Sequence, residues 1–150
     1  MPPTSRTVSL RRAQIADAAA IAALGSQLGY PATEQAIASR LDQILSAPDQ
    51  FLVVAEQGGQ VSGWLQAHST VVIESGFRVE IVGLIVAEHA RRQGIGRALV
   101  AAAEDWALKL GAPAVVVRTN VTRTASHAFY TALNYAPAKN QTVYRKALKR

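Results

Sequence analysis

The chain of 150 residues has no cysteine, so disulfides and thiolate metal sites are excluded and stability must come from packing. Its histidines, His68, His89 and His127, stand apart without ligand spacing, and no metal is expected. No apolar run approaches the roughly 20 residues needed to cross a bilayer. The N-terminus has no signal-peptide core, so a cytoplasmic protein with no membrane partner is expected. Aromatics are sparse, at 6%, and are not interleaved with the basic residues, which argues against nucleic-acid binding despite a pI near 10.2. A net charge of +6 still favours an anionic ligand. About half the residues are apolar, enough for the core of one domain spanning 1–150.

Two familiar phosphate motifs are missing as well. Gly96 is followed by Arg97 and Ala98 rather than by the Lys and Ser or Thr of a P-loop. Leu99 stands where a dinucleotide fingerprint needs a small residue. What is present is the segment RRQGIGRAL, from Arg91 to Leu99, directly behind an apolar strand pattern and directly ahead of an amphipathic helix. Amides opening a helix have no intrahelical acceptor and lie at the positive end of its dipole. Gly94 and Gly96 remove Cβ atoms from an anion's path, and Arg91, Arg92 and Arg97 add charge, so this loop reads as a diphosphate cradle. The plainer alternative is a basic surface turn.

Periodicity places a strand at 8–11, a helix at 14–28 closed by Gly29-Tyr30-Pro31, and a helix from Thr33 closed by Ala47-Pro48-Asp49. A hairpin follows, with strands at 51–56 and 61–72 around Gly58-Gly59. The apolar run 77–86 reads as a central strand, with Glu80 its lone carboxylate and Gly83 the mark of a bulge or of a close approach to the backbone. Next come a helix at 96–110, with Trp106 on its inner face and Gly111 as its stop, a strand at 114–119 and a short helix at 124–133. Two final strands are expected between Tyr135 and Leu148 around a turn near Asn140, the basic tail serving as a charged sheet edge. The order describes a mixed α/β domain.

The succession of strand, RRQGIG, helix, strand and HAFY helix resembles the GNAT superfamily of acyl-CoA-dependent N-acyltransferases, over almost the whole length. The resemblance implies a twisted mixed sheet, splayed at a bulged strand to hold acyl-CoA. By position it implies that the backbone of Leu84 faces the thioester carbonyl and that of Val86 pairs with the pantetheine arm. The amides of Gln93, Gly94, Ile95, Gly96, Arg97 and Ala98, with the neighbouring arginines, would hold the pyrophosphate. Asn120 would touch the cofactor, and Tyr130 would lie near the sulfur. Asn134 stands where members often have glycine, a place asparagine can also fill. The stretch VRTNVTRTASHAFYTALNY resembles members acting on aminoglycosides or small amines.

Transfer from a thioester to an amine needs a neutral nitrogen, whereas a primary amine with a pKa of ~10.4 is protonated at neutral pH. Glu80, on the strand expected to hold the thioester, is the candidate base, and Tyr130 the candidate acid for the leaving thiolate. Alternatively Glu80 pairs with Arg78, and His68 or a water relay serves. Tyr30, His68 and Glu74 are candidate acceptor-binding residues by family analogy. The expected partner is a small-molecule or peptide amine, with acetyl-CoA as co-substrate and homodimerisation open. The competing function is a catalytically degenerate CoA-binding module for sensing or assembly.

Overall fold

The computed structural model describes residues 7–118 and 124–149, and the chain divides into two units after Arg118. The first unit is a five-stranded sheet of order β1-β2-β3-β4-β5. Its strands are β1 (Val8–Arg12), β2 (Gln50–Gln57), β3 (Gln60–Val72), β4 (Gly76–Val86) and β5 (Val115–Val117). All neighbours are antiparallel except β4 and β5, which run parallel. This is the mixed sheet expected from the sequence.

Helices α1 (Ala18–Gln27) and α2 (Glu34–Ser46) cover one face. The long helix predicted from residue 14 begins instead as a 3-10 turn, Ile15–Asp17. Thr33 caps α2 by accepting the Ala36 N–H at 3.1 Å. Ala18, Ile21, Leu41, Leu52 and Val54 form the buried cluster on this face, with Trp64 packed against it. Helix α3 (Ile95–Leu110) covers the opposite face, burying Ile95, Leu99, Val100 and Ala103. Trp106 stacks on Phe51, with ring centroids 5.1 Å apart. Gly111, at φ 76°, ends the helix as expected.

One polar latch ties the first strand to the turn before α1. The Arg11 guanidinium donates to both Asp17 carboxylate oxygens, at 2.8 and 2.9 Å, and to Glu56 at 2.6 Å. Asp17 also accepts the Gln14 N–H at 2.7 Å. The Arg11 hydrogen bonds hold the Asp17 carboxyl below its usual 3.8.

The second unit holds α4 (Thr124–Ala132), in which Tyr130 meets Phe129 and Tyr135 edge to face, at 5.0 and 5.8 Å. Asn134 takes φ 70°, the left-handed turn anticipated for it. The two strands expected between Tyr135 and Leu148 are not formed: residues 136–149 have no strand pairing and are exposed throughout, Val143, Tyr144 and Leu148 included. Alternation of basic and apolar residues gives that segment a strand-like pattern, but a strand exists only against a partner, and none of the described strands supplies one.

The latch makes stability pH-dependent. The depressed Asp17 carboxyl contributes stability that is full above its unfolded pKa and is lost as the pH falls from there towards the lower folded value. Urea unfolding should therefore show Asp17→Asn less stable by about 2 kcal/mol at pH 7, with the gap closing on acidification. A gap independent of pH would refute the assignment.

Candidate active site

Along β4 the neighbours change. At its start β4 pairs with β5 through Val79↔Val115, Glu80↔Val116 and Ile81↔Val117, and there the parallel pairing ends. On its other side the register with β3 jumps from Ala67↔Ile81 to Gln66↔Gly83, leaving Val82 as the extra residue of a bulge. The bulge thus falls one residue before the expected Gly83. Gly83 answers a different demand: a Cβ there would lie 2.7 Å from the Trp64 ring, so the indole needs the bare backbone.

The extra residue reverses which amides face the open side. Before the bulge, the Val79 N–H donates towards β5, to Ala114 O at 3.2 Å. After it, the Ala87 N–H donates to Ser62 O, on the β3 side, at 2.8 Å. Backbone groups alternate along a strand, so Gly83 and Ile85 also face β3 while Leu84 and Val86 face away from it. No described strand lies there, so Leu84 and Val86 present ladder groups to a gap. These are the residues that the family resemblance assigns to the thioester and the pantetheine arm.

The strand leads through a short turn, Glu88–Ala90, into the RRQGIG loop. Arg92 at φ 65° and Gly94 at φ 79° are both left-handed, and Gly94 is the N-cap of α3. The amides of Gly94, Ile95, Gly96 and Arg97 precede the first helical hydrogen bond and so lack an acceptor within the helix. Ala98 is excluded from that set, because its N–H donates to Gly94 O at 3.0 Å. Arg91, Arg92 and Arg97 are exposed and make no ion pair among the described residues. The Gln93 side chain is engaged structurally, accepting from Gln57 at 2.9 Å and donating to His89 O at 3.2 Å. Gly63 on β3 seats the whole arrangement: a Cβ there would lie 2.9 Å from Ile85 O and 3.4 Å from Ile95 Cγ2, at the first turn of α3. Cradle and gap are therefore contiguous and basic, which suits a phosphorylated cofactor with an extended amide-bearing arm.

Glu80 lies opposite Val116 of β5, one residue before the last β4–β5 pair. Cross-strand neighbours share a face, so Gln50, His68 and Glu80 form a polar row beside the cluster under α1 and α2. Glu80 is buried at 6% exposure and lies among three basic side chains. Arg118 Nε donates to Oε1 at 2.9 Å, while Arg78 Nη2 and His68 Nε2 lie 3.6 Å from Oε2. The anticipated Arg78 partnership therefore coexists with burial rather than replacing it. Trp64 Nε1 and His68 Nε2 are buried without a hydrogen-bond partner among the described residues.

The remaining expected residues are less convergent. Glu74 is at the exposed tip of the β3–β4 hairpin, and the four residue steps from Gly76 to Glu80 separate it from Glu80 by about 13 Å of strand rise. Tyr30 is exposed beyond α1, and its N–H donates to Gly25 O at 2.8 Å. Tyr130 belongs to the second unit, where burial raises its phenol above 10.0. Asn120 lies outside the described residues. Arg118 and Gly63 were absent from the sequence reading. The apolar strand before Arg118 gave no sign of its register against β4.

Gly94→Ala should weaken acetyl-CoA binding through the backbone, because nothing lies within 4 Å of the added Cβ while φ 79° is costly for alanine. Calorimetry should show about a tenfold loss in affinity, and an unchanged affinity would place the anion elsewhere.

The acetyltransferase (GNAT) family profile matches residues 18–135. The chain is 32% identical over 117 residues to a Bacillus subtilis protein named uncharacterized N-acetyltransferase YhfO, covering 75% of this chain and 78% of that one. It is 28% identical over 146 residues to an aminoglycoside N(6')-acetyltransferase type 1 of Klebsiella aerogenes, covering 93% and 96%. Among solved structures, the aminoglycoside N-acetyltransferase AAC(6')-Iy in complex with CoA superimposes with a TM-score of 0.87 at 21% identity, over 99% of this chain and 100% of that one. A splayed mixed sheet, a glycine-arginine helix start and this sequence match lead to one conclusion: the chain belongs to the GNAT family of acetyltransferases.

Proposed function

We propose that the protein moves an acetyl group from acetyl-CoA to a primary amine of a small hydroxyl-bearing molecule of the aminoglycoside kind. Glu80 accepts the amine's proton and Tyr130 supplies the proton the leaving sulfur requires. The observation that carries this reading is the position of Glu80, a buried carboxylate beside the last β4–β5 pair. It lies a few residues ahead of the backbone groups of Leu84 and Val86 that face the gap.

Bound acetyl-CoA supplies an activated acyl carbon on a good leaving group. The chain's residues would do the rest. Amides from Gly94 to Arg97, with Arg91, Arg92 and Arg97, hold the pyrophosphate. Leu84 and Val86 orient the arm by strand-like pairing, and a backbone N–H facing the gap can stabilise charge on the acyl oxygen. Glu80 attracts the cationic amine and takes its proton as the nitrogen attacks. Tyr130, its phenol raised by burial, retains its proton at neutral pH and so has one to give. The buried Trp64 and His68 nitrogens are donors for an acceptor's hydroxyl groups. Relatives named for aminoglycosides support that acceptor class.

A binding-only module is the second reading. It is favoured by the Arg118 contact, since a carboxylate held at 2.9 Å by a guanidinium is not a free base.

A thiol-release assay over aminoglycosides, polyamines, amino acids and short peptides separates the two. Saturable release with one amine class is expected, and cofactor binding without release would favour the module. Glu80→Gln should lower kcat about 10²- to 10⁴-fold, least at high pH where more free amine exists, with acetyl-CoA affinity unchanged. A pH-independent loss of cofactor affinity would overturn the base assignment.

A further inference from the structure

The three basic side chains around Glu80 are not equivalent. Arg78 and His68 approach Oε2 from within the sheet, at 3.6 Å each, with side chains 15% and 33% exposed. Arg118 approaches Oε1 alone, at 2.9 Å, and its side chain is 57% exposed. It also stands immediately past the last β4–β5 pair, Ile81↔Val117. Oε1 is thus the oxygen reached from outside, and an exposed guanidinium already occupies it.

We infer that Arg118 is a placeholder: its guanidinium fills at Glu80 Oε1 the position that the ammonium of the acceptor takes on binding, and the two are mutually exclusive. The inference rests on the proposed acetyl transfer to a cationic amine and adds the step by which Glu80 is released for it. The physical argument is one of charge balance. A buried carboxylate is costly without a cation, so an empty site needs one. An exposed guanidinium is a weak enough partner to exchange, because its pairing is opposed by solvent and by side-chain entropy. A primary ammonium presents the same charge in a smaller group, and unlike arginine it can give up its proton to Glu80 near neutral pH. Arg118 therefore offsets the carboxylate's charge at Oε1 in the empty enzyme, while competing with cationic acceptors.

The test measures amine affinity directly, by calorimetry with neamine on the full-length protein saturated with CoA. Arg118→Gln should tighten neamine binding about fivefold, and Arg118→Lys should leave it near wild type, because lysine restores the competing cation. In a Glu80→Gln background Arg118→Gln should have no effect, since the oxygen both cations seek has lost its charge. Arg40→Gln, which removes an exposed charge from α2, controls for net charge and should change nothing. Unchanged or weaker binding in Arg118→Gln would overturn the placeholder, as would an equal gain in the Glu80→Gln background. Turnover is scored separately: tighter binding without thiol release would sustain the placeholder and refute acetyl transfer to that amine.

Discussion

One surplus residue in β4 governs the site. Before Val82 the strand pairs on both sides; after it, none of the described strands pairs with one side. A strand cannot leave ladder groups unpaired in a protein interior without cost, so an opened strand must face water or a ligand that completes the ladder. The bulge also reverses the parity of the backbone. Without it Gly83 and Ile85 would face the gap, and the residues leading into the cradle would be turned over. Trp64 reinforces the geometry by lying on Gly83, and Gly63 lets the first turn of α3 sit close against the same strands. Bulge, bare glycines and helix start thus bring a line of backbone donors and a ring of arginines into register.

A second constraint is the buried charge of Glu80. A carboxylate at 6% exposure is tolerated because three basic side chains converge on it from β3, β4 and the end of β5. On the proposed reading the same arrangement would make the site selective, since an acceptor brought to Glu80 would have to offer a cation in place of one removed. Stability and reactivity are then coupled through a single carboxylate. The Arg11–Asp17–Glu56 latch works differently: all its partners lie within the fold and none faces the gap, so it only secures the first strand and the turn before α1.

Local pattern made much of this legible. The apolar runs, the Gly58-Gly59 turn, the Thr33 cap and the Gly111 stop place the elements to within a residue or two, because each is decided by neighbours in sequence. Gly94 and its arginines stood out for the same reason. Two features depended on distant partners and could not be read. Arg118 meets Glu80 only through the parallel register of β4 and β5, which is set across the whole of α3. The tail at 136–149 has the alternation of a strand, but alternation cannot say whether a partner strand exists. Of the two readings open at Gly83, the bulge belongs to Val82, while the close approach to bare backbone is met by the Trp64 indole. Ala98 was included with the helix-opening amides, although counting from the N-cap shows that its N–H is the first to bond within the helix.

The central claim is that the open side of β4 and the start of α3 together bind acetyl-CoA through backbone amides. Amide hydrogen exchange followed by NMR, with and without acetyl-CoA, addresses it residue by residue. The account predicts new protection at Leu84 and Val86 and at Gly94 to Arg97, with Gly83 and Ile85, already bonded to β3, unchanged. Protection that ignores this alternation, or that leaves Leu84 and Val86 unaffected while the cofactor is bound, would contradict it.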